Sequence, residues 1–104
     1  MPDSTYFSRR LREARQRIGL SQKALGVKAG IDPFSASPRM NQYEKGKHLP
    51  DLLMMEHLAN ATGVPVAYFF AQNDCLAELL LLWSEMDEAK RSELLIAAKN
   101  LVGL

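Results

Sequence analysis

The segment RMNQYEKGKHLP, residues 39–50, concentrates side chains that hydrogen-bond in forks: Arg39, Asn41 and Gln42, then Lys45, Lys47 and His48 around Gly46. Arginine offers paired N–H donors that match guanine O6 and N7, and a glutamine amide matches adenine N6 and N7. Lysine supplies a point charge suited to phosphate. Arg39 and Gln42 stand three apart, which on a helix puts them on one face; Met40 and Tyr43, also three apart, share another and suit a core. The chemistry is that of reading and gripping a polyanion. An ordinary solvated helix end has a similar composition, and spacing alone leaves both readings open.

No reaction chemistry competes with that reading. His48, His57 and Cys75 lack compact metal-ligand spacing, and there is no Cys-x-x-Cys pair. Glycine-rich phosphate loops, serine elbows and paired-carboxylate signatures are absent from the sequence. Neither catalysis nor a metal nor a cofactor is expected. A single cysteine in 104 residues makes no internal disulfide, which fits a reducing cytoplasm. The opening Met1-Pro2-Asp3-Ser4 is polar rather than a basic-then-apolar leader. The longest apolar run, Leu79 to Trp83, is too short to span a bilayer, so no membrane partner is expected.

The net charge of +1 hides a segregation. Residues 1–50 hold ten Lys/Arg against four Asp/Glu, a surplus of six positive charges, whereas residues 51–104 hold three against eight. The basic half is pointed at something anionic, for which nucleic acid is the commonest partner.

These side chains must be carried by helices, because period-2 alternation is almost absent. Phe7, Leu11, Ala14 and Ile18 mark one face of a first helix that ends at Gly19, with Arg9, Arg10, Arg12 and Arg17 directed mostly elsewhere. Ser21 caps a short second helix, Gln22 to Ala29, stopped by Gly30. Asp32-Pro33 and Ser37-Pro38 each pair a capping residue with a proline. One continuous helix would enclose Pro38 at a cost of roughly 3 kcal/mol. The expectation is therefore a turn of helix near 33–36 and a main helix from Pro38 to about Lys45. Asp51 caps a fourth helix to about Thr62, with Leu52, Met55, Leu58 and Ala59 as its apolar face. A fifth runs from Val66 to Phe70 or Ala71, a sixth from Asn73 or Asp74 to Glu85, and a seventh from Asp87 to about Val102. Gln72-Asn73-Asp74 is the one plausible linker.

In order along this helical frame stand Gly19-Leu20-Ser21-Gln22, Ala24-Leu25, Gly30-Ile31, Tyr43-Glu44-Lys45-Gly46, Leu58-Ala59 and Gly63-Val64-Pro65. The series resembles the Cro/repressor (XRE-type) helix-turn-helix family over about residues 6–71. The resemblance implies a five-helix, lambda-repressor-like domain over residues 1–71; with the sixth and seventh helices as a C-terminal helical hairpin over 72–104, the expected fold is all-α. One departure is a turn of seven residues, Gly30 to Ala36, where ~3–4 are usual. Its extra stretch, Asp32-Pro33-Phe34-Ser35, either adds contacts to DNA or shifts the angle of the recognition helix.

The resemblance also distributes roles. Arg39 and Gln42 become base-reading residues, flanked by Ser37 and Asn41. Lys45, Lys47 and His48 follow the sugar-phosphate backbone, helped by the N–H groups of their loop, and Gln22, Arg10, Arg17 and Ser35 join the phosphate-contact set. Glu44, which bare DNA would repel, pairs with Arg15 in an ion pair locking the first helix to the recognition helix.

Leucines 79 to 82 surround most of the sixth helix, more than one buried face can use. Leu79, Leu80, Leu82 and Trp83, with Leu94, Leu95, Ala98 and Leu101, are expected to form a homodimer interface. Dimerisation would set two recognition helices ~34 Å apart on a palindromic operator. The leading reading is a dimeric, sequence-specific transcriptional regulator of double-stranded DNA, expected to act as a repressor, of bacterial, phage or mobile-element type. The alternative is an antitoxin-type interaction module that neutralises a protein partner and binds DNA for autoregulation.

Overall fold

Capping chemistry sets most element boundaries. The computed structural model describes the backbone of residues 4–104 and side chains from Tyr6 onward; residues 1–3, with the polar opening and the start expected for the first unit, lie outside it. Among the described residues the fold is all-α: α1 Ser4–Arg17, α2 Gln22–Lys28, α3 Pro33–Glu44, α4 Leu52–Thr62, a 3₁₀ helix Val66–Phe70, α5 Asp74–Glu85 and α6 Glu88–Leu101. Ser21 Oγ accepts from Ala24 N–H at 3.0 Å, Asp51 Oδ1 from Met54 N–H at 2.8 Å, and Asp87 Oδ1 from Lys90 N–H at 2.9 Å. Asn73 Oδ1 takes both Cys75 and Leu76 N–H at the head of α5. Each satisfies an amide that a helix start leaves without a partner.

The third helix differs from the sequence expectation. It is continuous from Pro33 to Glu44 and encloses Pro38, with Asp32 rather than Ser37 as its cap. The turn between α2 and α3 is therefore only residues 29–32, and the extra residues lengthen the recognition helix by a turn instead of lengthening the loop. Packing supplies the reason. Ala36, fully buried, lies inside this added turn and sits on Gly26 of α2, where a Cβ would come within 2.9 Å of Ala36 Cβ. Keeping that contact offsets the hydrogen bond that Pro38 cannot donate to Phe34 C=O.

The core gathers Phe7, Leu11 and Ala14 from α1, Leu25 from α2, Met40 and Tyr43 from α3, and Met55, Leu58 and Ala59 from α4. Phe69 of the 3₁₀ helix closes it, its ring 5.1 Å from that of Phe7. Two expected core positions are exposed instead: Ile18, which lies beyond the end of α1, and Leu52, the first residue of α4. Both lie where a helical stripe runs off the end of its element.

The expected linker is a turn, yet Ala77 beyond it still belongs to the core, with Leu80 and Leu81 partly buried against it. After α5 the packing stops. No residue of α6 is buried, so the C-terminal hairpin is an open one. Its main tie is Arg91, which donates to the carbonyls of Trp83 at 3.0 Å and Ser84 at 3.3 Å and stands 3.9 Å from the centre of the Trp83 ring. The molecule is accordingly elongated, 52 × 30 × 22 Å. None of its helices is long and apolar enough to cross a membrane, among the described residues.

Candidate nucleic-acid interface

Helix α3 presents two opposed faces. Ala36, Met40, Tyr43 and Glu44 point inward, whereas Phe34, Ser37, Pro38, Arg39 and Gln42 are exposed. Of the expected base-reading residues, Ser37, Arg39 and Gln42 are thus free to meet a groove. Asn41 is half-buried, and its Oδ1 lies 3.5 Å from Gln22 Nε2, which brings an expected base contact and an expected phosphate contact together across α2 and α3. Ser35 is half-buried, with its N–H given to Asp32 C=O at 2.9 Å.

The loop after α3 continues this surface. Gly46, at φ 73°, adopts the left-handed conformation that ends the helix. Lys45, Lys47 and His48 are exposed around it, and His48 shares a concavity with Arg39 and Gln42. The loop amides are used internally, contrary to the expectation that they meet phosphate. Lys45 N–H donates to Asn41 C=O, Gly46 N–H to Tyr43 C=O, and both Lys47 and His48 N–H to Gln42 C=O. The loop offers its cationic side chains outward. A second concavity groups Arg9 and Arg12 of α1 with Lys45 and Lys47 around buried Glu44. Sequence reading did not assign Arg9 or Arg12; the charge surplus of the first half was their signal.

Glu44 meets Arg15 in a two-pronged pair. Arg15 Nε donates to Oε2 at 2.7 Å and Nη2 to Oε1 at 2.8 Å, while Nη1 donates to Leu20 C=O at 3.0 Å. The side chains are 15% and 4% exposed. The hydrogen bond to Glu44, opposed by partial burial and helped by its charge, raises the Arg15 pKa above its usual value. The pair fixes the end of α3 to α1 and neutralises the acid nearest the basic loop.

Arg10 corrects the expected phosphate set. It is 2% exposed, donating from Nε to Ala71 C=O at 2.8 Å, from Nη1 to Glu13 at 3.0 Å and from Nη2 to Asp74 at 3.0 Å. Burial disfavours its charge, but the hydrogen bonds to Glu13 and Asp74 more than offset this, and its pKa is raised. Tyr68, whose hydroxyl donates to Glu13 at 3.3 Å, has its pKa raised by burial and by the Glu13 charge. Arg10 is thus a strap between α1 and the start of α5. Its position was legible: it stands three after Phe7 and four before Ala14, on the buried stripe. Its acid partner, 64 residues away, was not. Arg17 is also committed, through an exposed contact with Glu85 at 3.4 Å.

The expected dimer residues Leu79, Leu82, Trp83, Leu95, Ala98 and Leu101 are exposed, and Leu80 and Leu94 are half-buried. Among the described residues, no group of three His, Cys, Asp or Glu side chains is arranged to hold a metal.

Residues 7–68 match the helix-turn-helix domain family. Among solved structures, the chain is similar to the crystal structure of transcriptional regulator BswR, with a TM-score of 0.85 and 44% sequence identity over 92% of this chain and 95% of that one. No curated protein matches the chain.

Proposed function

We propose that this chain, which belongs to the helix-turn-helix domain family as an XRE-like DNA-binding regulator, reads a palindromic operator as a homodimer and represses transcription. The observation that carries this reading is the outward face of α3, where Ser37, Arg39 and Gln42 stand exposed beside Lys45, Lys47 and His48. Arg39 and Gln42 read base edges from the major groove, with Ser37 and Asn41 flanking. Gln22, Lys45, Lys47 and His48 hold phosphates and set register. Arg15 and Glu44 fix the angle at which α3 is offered. The role is recognition rather than catalysis, and the protein works in the cytoplasm.

The state of α6 supports the dimer. Isolated helices of fewer than ~12–15 residues are marginal in water. This 14-residue helix has no fully buried residue, and only Arg91 and Leu94 are even half-buried. Leu95 and Ile96 on α6 are 57% and 60% exposed, and Leu79, Leu82 and Trp83 on α5 are exposed as well. A second copy supplies the missing packing and places two recognition helices about 34 Å apart. The overlay on BswR, at 92% of this chain, takes in most of this C-terminal region.

Selection from random duplex DNA tests the reading, with sedimentation equilibrium on the selected complex. A palindromic consensus bound by two chains is expected. Weak, salt-labile binding without consensus would defeat it and favour the antitoxin-type reading, in which the α5–α6 surface holds a different protein.

A further inference from the structure

Phe34 is 95% exposed, the most exposed large apolar side chain among the described residues. It stands on the second residue of α3, on the turn that this chain adds to its recognition helix. Water gives a phenyl ring no reason to stand there, and folding gains nothing from it. Its backbone is nevertheless held firmly: Phe34 follows Pro33 directly, and its N–H donates to Oδ2 of the cap residue Asp32 at 3.2 Å. Four residues on is Pro38, and seven and eight on are Asn41 and Gln42, so Phe34 heads the stripe that faces away from the core. The N-terminal residues of a recognition helix are those that reach deepest towards base edges.

We propose that Phe34 is a specificity-determining residue that packs its ring on the 5-methyl group of a thymine in the major groove, adjoining the bases met by Ser37 and Gln42. The thymine methyl is the one apolar feature of that groove, and a phenyl ring is a fitting partner for it. The ring adds discrimination against cytosine at a position with no hydrogen-bonding side chain. The cap fixes the backbone of Phe34, so that only the side-chain torsions of the ring remain to be ordered on binding. This inference rests on the operator-reading function above.

The test uses the selected duplex, with deoxyuridine replacing thymine one position at a time, bound by the full chain and by Phe34→Ala. An exposed ring can be removed without unfolding, which the thermal transition of the variant verifies. Wild type is expected to lose about four-fold in affinity at one thymine of each half-site, the worth of one buried methyl group. Phe34→Ala is expected to bind the thymine duplex at least four-fold more weakly and to lose nothing further with uracil there. Wild-type affinity in Phe34→Ala, or an undiminished uracil effect in that variant, overturns the inference alone. Absence of any consensus overturns the operator reading and this inference with it.

Discussion

The Arg15–Glu44 pair shows how a single acid can be kept at the rim of a basic surface. Alone, buried Glu44 would oppose the positive field of exposed Lys45 and Lys47. Joined to Arg15 at 2.7 and 2.8 Å, it becomes a fastener instead. Arg15→Ala leaves that carboxylate buried without its partner, and a loss of roughly 3–5 kcal/mol is expected. Urea unfolding measures it directly; a loss below about 1 kcal/mol would show that the pair behaves as an exposed one. Arg10, by contrast, looked like a surface cation because only its own charge was visible. Of its carboxylate partners, Asp74 stays largely in water and Glu13 is half-buried, while the guanidinium itself is buried against Ala71 and Tyr68.

At the scale of elements, the α2–α3 contact governs the recognition helix. Gly26 lets α3 approach until Ala36 and Met40 lie where any side chain on α2 would stand. Gly26→Ala would push Ala36, or the Met40 side chain at 3.1 Å, out of place. Because Ala36 presents backbone as well as its Cβ, relief requires moving the helix, and overpacking of this kind costs about 1–3 kcal/mol. The expected outcome is a lowered thermal midpoint together with weaker operator binding. An unchanged midpoint would mean that α2 and α3 separate freely. The same contact explains the uninterrupted α3, since ending the helix before Ala36 would abandon the packing that this close approach provides.

For the whole molecule, the decisive feature is the imbalance between a packed N-terminal unit and an unpacked α6. If a second copy covers α5 and α6, placing carboxylates there dissociates the dimer and spares the core. Leu82→Asp with Leu95→Asp is expected to give a folded monomer by sedimentation equilibrium. Each phosphate neutralised contributes about 0.9 to the slope of log affinity against log salt, so the monomer should show about half the wild-type slope. A variant that remains dimeric would move the interface elsewhere on the surface.

Helix type and order were legible because capping residues and apolar periodicity are local signals: Ser21, Asp51 and Asp87 cap where their neighbours in sequence require it. The exposure of Arg39 and Gln42 was legible too, since helical spacing alone turns them away from buried Met40. The 3₁₀ form of the fifth helix and the continuity through Pro38 were not. A proline penalty is local, whereas the contact that offsets it joins residues 26 and 36. By itself, then, the sequence determined the all-α frame, the outward placement of Arg39 and Gln42, and the Arg15–Glu44 pairing implied by its resemblance. Tertiary structure alone decided that Arg10 takes Asp74 as a partner, that the added residues lengthen α3, and that Phe34 stands in water. Those outcomes depend on contacts between residues distant in the chain, and no local pattern contains them.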